Sequence, residues 1–254
     1  MFHRVVILLI GFVLCGCAPS LEKKAGQLLM AGFRGESVDA ASPVVRDIRK
    51  FNLGGVILFD VDVARGEPVR NIRSPEQLAR LTSALQSAAR VPLLIAIDQE
   101  GGRINRLKPE AGFPETSSHQ MLGEAGESKF TYEESLRLAG ALKAAGINLN
   151  LAPVVDLAVS PKNFIVNKQR TFSADADAVV RHAAQFMQAH ADRHVLCTLK
   201  HFPGHGSSAA DSHKDMTDVT STWTEGELEP YRKLCADADV VMTAHVFHRN
   251  LDPD

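Results

Sequence analysis

From residue 25 onward, apolar runs of strand length alternate with stretches of helical periodicity, and the runs are apolar throughout rather than at every second residue. A strand covered by helices on both faces needs such a continuous run, so the pattern predicts a parallel sheet in an α/β fold. Six runs qualify: Leu28 to Phe33, Gly55 to Phe59, Leu93 to Asp98, Ile147 to Ala152, Val195 to Phe202 and Val240 to Ala244. Between them, Ser74-Pro75-Glu76-Gln77 offers an N-cap serine, a proline at the first helical position and a glutamine for a capping box, and Leu78, Leu81 and Leu85 follow on one face. Thr224-Glu225-Gly226-Glu227 repeats the signal before Leu228, Tyr231 and Leu234. Leu136, Ala139 and Leu142 lead a third helix to a stop at Gly146, and a fourth, over 177–191, presents Val180, Ala183 and Met187.

Polar residues gather just after the strands, in Asp98-Gln99-Glu100-Gly101-Gly102, in Pro153 to Asp156 and in Lys200 to His213. Both a (β/α)-barrel and a doubly wound sheet place their sites there. The nucleotide-binding doubly wound folds open on a Gly-rich loop, and Gly101-Gly102 does not continue into that pattern. The expectation is therefore a TIM-type (β/α)8 barrel, incomplete, with about six of its eight strands present. Asn250 to Asp254 then falls in the loop after the sixth strand.

Composition narrows the partners. The 28 Lys and Arg are offset by 30 Asp and Glu and are scattered, which argues against a nucleic-acid partner and suits a neutral substrate. The N-terminus differs from the rest: His3-Arg4 precede an apolar run from Val5 to Leu14, closed by Cys15-Gly16-Cys17. At about ten residues the run is too short to span a bilayer and reads as a signal-peptide core. Leu14-Cys15-Gly16-Cys17 resembles a bacterial lipobox, which nominates Cys17 for lipidation. The alternatives are a signal peptide cleaved elsewhere, or a Cys15–Cys17 disulfide that so short a spacing makes awkward. The expected organisation is a lipoprotein signal peptide over 1–16, a linker over 17–24 and the barrel domain over 25–254. Cys197 and Cys235 lack metal-ligand spacing and are expected to be buried packing residues.

The densest chemistry lies in Lys200-His201-Phe202-Pro203-Gly204-His205-Gly206 and the following Asp211-Ser212-His213. So many ionisable groups leaving one apolar strand are hard to attribute to packing. Asp211 and His213 are close enough for the carboxylate to fix the imidazole tautomer, giving an acid/base dyad; the alternative is a solvated loop histidine beside a surface aspartate. A metal site from His201, His205 and His213 matches no helical ligand spacing, and His205 fits a loop-holding role instead, so no metal is expected.

The runs Lys200 to Gly206, Asp211-Ser212-His213, Asp98 to Arg103 and Leu151-Ala152-Pro153-Val154-Val155-Asp156 together resemble the bacterial β-N-acetylglucosaminidases of glycoside hydrolase family 3. The resemblance covers 25–254. It implies that Asp98 accepts hydrogen bonds from hydroxyls of the terminal sugar, that Arg106 and Arg170 bind substrate, and that Lys200 and His201 complete the sugar pocket. It further implies His213 as the acid/base with Asp211 as its partner, in a retaining mechanism without cofactor. Glu100 and Asp156 are left to structural roles, and His245 and His248 are unassigned. The family nucleophile is an aspartate at the end of strand seven; no aspartate here matches it, so none is assigned, and the 254-residue form is expected to turn over little. The implied partners are a glycan containing N-acetylglucosamine and, through Cys17, a membrane of the cell envelope, the protein being a monomer. A noncatalytic sugar-binding lipoprotein, an inactive fragment, and a β-glucosidase of the same family remain as alternatives, the last disfavoured by Asp211-Ser212-His213.

Overall fold

Ser20 opens the first described helix, its hydroxyl accepting from the Lys23 N–H, and the chain reaches a strand within ten residues. The computed structural model describes residues 20–208 and 217–251. In chain order the elements are α1 (Leu21–Gln27), β1 (Met30–Gly32), α2 (Pro43–Phe51), β2 (Gly55–Leu58), α3 (Pro75–Ala88), β3 (Leu94–Ile97), α4 (His119–Glu124), α5 (Ser128–Ala144), β4 (Leu149–Asn150), α6 (Phe164–Asn167), α7 (Ala176–Ala191), β5 (Leu196–Phe202), β6 (Thr217–Asp218), α8 (Glu229–Leu234), β7 (Val240–Thr243) and β8 (Val246–Phe247). Three short 3-10 turns add to these, at Pro109–Ala111, Glu225–Leu228 and Cys235–Asp237.

The six predicted runs form one parallel sheet in the order β1-β2-β3-β4-β5-β7, the curled sheet of an incomplete TIM-type barrel. Inward-facing Ala96, Leu149 and Leu151 meet Ile57, Val240 and Met242, while the outer faces pack against helices in two further cores. One core lies under α2, α3 and α5 around Val56, Leu81 and Leu142; the other joins Phe186, Leu199 and Tyr231. Burial of both faces along β2, β3, β4 and the middle of β5 is why those runs carry no polar alternation.

Several expectations need correction. The first strand starts at Met30 because Leu28 is the C-cap of α1, and residues 21–24, expected as linker, form the start of that helix. Ser74 caps α3 as predicted, accepting from Gln77 N–H at 3.2 Å, but Gln77 Oε1 takes the Arg73 N–H at 2.9 Å rather than that of the cap. Thr224 opens a 3-10 turn with no side-chain cap, and the α-helix begins only at Glu229, where Pro230 suits the first turn. Cys197 is buried, whereas Cys235 follows α8 on its outer side and is exposed.

Candidate active site

All the pocket residues expected from the sequence lie at the carboxyl ends of the strands, and local turns aim them inward. After β3 the chain must reverse at once, and Gly102, with φ +54, allows this: a Cβ there would lie 2.4 Å from Ser118 Cβ. Buried Gln99 then holds the returning segment, its Oε1 accepting from the N–H groups of Arg106 at 2.9 Å and Leu107 at 3.1 Å. Between β5 and β7 the register slips at Lys200/Phe202, so that His201 leaves the ladder. The peptide bonds Ala152–Pro153, Lys200–His201 and Phe202–Pro203 are cis.

Glu100 is the hub. Its Oε2 accepts from Arg170 Nε at 2.7 Å and its Oε1 from Arg170 Nη2 at 2.7 Å, a two-pronged pairing that fixes the guanidinium plane. Lys200 Nζ lies 2.6 Å from Glu100 Oε1 and 2.9 Å from Asp98 Oδ1, so one ammonium ties both carboxylates together. Glu100 and Lys200 are each 1% exposed, Arg170 8%. Burial on its own would raise the Glu100 carboxyl, but the Lys200 and Arg170 cations outweigh it and hold the group well below the usual carboxylate range.

His201 is set by two neighbours. Its Nδ1 is 2.6 Å from Asp156 Oδ2 and its Nε2 is 3.3 Å from Arg170 Nη2. A guanidinium only donates, so Nε2 accepts and the ring proton sits on Nδ1, donated to Asp156. Burial pushes this imidazole below its ordinary value; Asp156 opposes the shift, while Lys200 and Arg170 reinforce it, and the ring is neutral near pH 7. Asp156 Oδ1 also accepts the backbone N–H of His205 at 2.8 Å. His205 holds its own loop, as expected: its ring Nδ1 is 2.8 Å from Ser208 Oγ and its carbonyl accepts from Asn163 Nδ2 at 2.8 Å.

These groups line a cavity of about 640 Å³, within the range of small-ligand pockets. Asp98, Arg106, Arg170, Lys200 and His201 are all in its wall, so the structure brings together every described member of the predicted set. Neither arginine is a surface residue: the Arg106 side chain is 27% exposed and faces Asp60, with Nη1 3.6 Å from Oδ1. Asp211 and His213, and Cys17, lie outside the described residues. Glu100, which sequence reasoning left to structure, lines the cavity; Asp156 directs a ring that does; and His245, left unassigned, stands in its wall after β7. Glu100 was the most findable of these, as an acid two residues beyond Asp98 at a strand end.

A curled parallel sheet with charge-paired side chains around a cavity at its strand ends defines a domain of the (β/α)-barrel class with a pocket for a polar ligand. The chain belongs to glycosyl hydrolase family 3, whose N terminal domain matches residues 20–254. It is 36% identical over 211 residues to a beta-hexosaminidase of Alkalilimnicola ehrlichii, covering 79% of this chain and 57% of that protein. Among solved structures, a family 3 beta-N-acetylglucosaminidase from Paenibacillus sp. str. FPU-7 superposes with a TM-score of 0.84 at 36% identity, covering 93% of this chain and 44% of that one. NagZ from Neisseria gonorrhoeae, solved in complex with N-trifluoroacetyl-D-glucosamine, gives 0.76 at 29% identity, covering 88% and 65%. The chain thus spans under two thirds of the length of each.

Proposed function

We propose that this chain is the sugar-binding barrel of a glycosidase that removes terminal β-linked N-acetylglucosamine from peptidoglycan-type or chitin-type oligosaccharides. The observation that carries the reading is the Asp98–Lys200–Glu100–Arg170 network in the cavity wall, with a neutral His201 beside it. A carboxylate such as Asp98 is an acceptor-only group suited to sugar hydroxyls, and Lys200, 2.9 Å away, holds it in place. Arg106 and Arg170 supply donors, and His201, its tautomer locked, presents one defined edge.

The chemistry follows a retaining route in two steps. A carboxylate, which we do not assign within this chain, attacks the anomeric carbon while the acid/base protonates the departing oxygen; water then releases the sugar as the same group takes a proton. His213 is the acid/base and Asp211 the partner that orients it and stabilises its imidazolium. A lipid on Cys17 holds the protein to a membrane of the cell envelope, near that glycan.

The test is release of an aryl alcohol from an aryl N-acetyl-β-glucosaminide by the protein that carries this domain. Asp98→Asn is expected to lower kcat/KM by about 10- to 100-fold, the worth of a hydrogen bond to a charged group, and His213→Ala to lower kcat at least as far. Preference for the aryl glucoside would replace this reading with that of a β-glucosidase. A second reading, sugar binding without turnover, draws on the presence of the five pocket residues in one chain; calorimetric binding of N-acetylglucosamine with no hydrolysis would establish it.

A further inference from the structure

The end of the sheet opposite the cavity carries a different surface. Leu21 and Leu28 of the first helical segment are 82% and 87% exposed, Leu29 is 58% exposed, and Phe51 at the end of α2 is 46% exposed. They form one neighbourhood, because α1 is tied to the end of α2: Gln27 Nε2 donates to Asn52 O at 2.7 Å, Asn52 Nδ2 to Lys23 O at 3.3 Å, and Gly54 N–H to Gly26 O at 2.9 Å. At the cavity end, Val63 and Val159 are exposed in different loops.

Basic side chains surround the patch. Lys23, Lys24, Arg46, Arg49 and Lys50 are exposed on α1 and α2, against the exposed acids Glu22 and Asp47, and Lys50 Nζ lies 4.9 Å from the Phe51 ring centroid. Apolar side chains rimmed by Lys and Arg suit the boundary between acyl chains and anionic headgroups. No helix among the described residues is long and apolar enough to cross a membrane. The patch also begins next to the proposed anchor, Cys17 standing three positions before Ser20.

We infer that the α1 and α2 end of the barrel rests on an anionic phospholipid surface, so that the cavity opens away from the membrane. This rests on lipidation of Cys17 and is independent of the sugar specificity proposed above. A single short tether restricts distance but not orientation, and a second contact is what would fix it.

The experiment uses the lipidated protein in vesicles of phosphatidylethanolamine and phosphatidylglycerol, with Cys235→Ser to remove the exposed thiol and mass spectrometry to verify the lipid on Cys17. A fluorophore is attached through Leu28→Cys in one sample and Val159→Cys in another, and quenching by lipids brominated in their acyl chains is compared. Strong quenching at position 28 with little at 159 is expected, as is loss of that quenching with Lys23→Glu/Lys24→Glu/Lys50→Glu. Equal quenching at both positions, or shielding of position 28 that tracks protein concentration and not bromination, overturns the orientation alone. Absence of lipid on Cys17 overturns the anchor and this inference together, and leaves the hydrolytic reading to its own assay.

Discussion

A single carboxylate separates two cations in the wall of the cavity. Glu100 lies between Lys200 and Arg170 with almost no access to water, so removing its charge leaves Lys200 with Asp98 alone and Arg170 without its paired carboxylate. Breaking a buried pair costs about 3–5 kcal/mol because the abandoned charge stays buried. Glu100→Gln is accordingly expected to lower the free energy of unfolding in urea by about that amount and to weaken N-acetylglucosamine binding; an unchanged midpoint and slope would contradict the role. The place of this residue was legible in the sequence, but its partner was not. Asp98, Glu100, Asp156, Lys200 and His201 all fall in polar clusters at strand ends, but Glu100 meets Arg170 across 70 residues, and Asp156 meets His201 across 45. No local spacing encodes such pairs, and an acid at a strand end looks the same whether it caps a turn or holds an arginine.

At the scale of elements, α4 positions the loop that carries Arg170. A Cβ on Gly123 would lie 1.8 Å from the Phe172 carbonyl oxygen, a backbone atom that can yield only if the loop moves. Gly123→Ala is therefore expected to displace Arg170 from Glu100, lowering sugar affinity at least tenfold, with a Phe172 amide that exchanges faster with solvent. Wild-type affinity in that variant would show that the helix does not set the loop. Short helices such as α4 and α6 were not legible, since four to six residues give too little periodicity to distinguish from a turn. Strands were legible by existence more than by limits. The fourth shrinks to Leu149–Asn150 by regular pairing, yet the Leu151 N–H still reaches the Ile97 carbonyl at 2.8 Å and Val154 still bridges to Lys200. The parallel order itself followed from the alternation of continuous apolar runs with helices, which is a property of whole segments and survives errors at their ends.

Across the whole molecule, acid stability depends on histidines that have nothing to do with the proposed proton transfer. Burial pushes His119 down to about 3 and His190 down to about 4, from 6.5 in an unfolded chain, and pushes His182 down as well. His119 stacks among Phe172 and Phe186 and neither ring nitrogen has a hydrogen-bond partner among the described residues. Below pH 6.5 the unfolded chain binds protons that the folded chain refuses, so stability is complete above that value and declines as the pH falls toward 4. At pH 5 the loss is about 2 kcal/mol for each of His119 and His190. His119→Phe keeps the ring packing and removes one such site, so its urea stability is expected to fall less between pH 7 and pH 5, by about 2 kcal/mol. A curve parallel to the parent's would exclude the histidine as the source.

The chain contains one tryptophan, and its place is informative. Trp223 Nε1 donates to the Pro203 carbonyl at 3.1 Å, within the loop that leaves Lys200 and His201, and the ring meets His248 edge-on at 4.9 Å. The indole N–H is therefore held by the backbone just beyond Lys200 and His201. This chain carries a native optical reporter, its one tryptophan, hydrogen-bonded to the loop that follows Lys200 and His201, so that movement of that loop can be followed without a label.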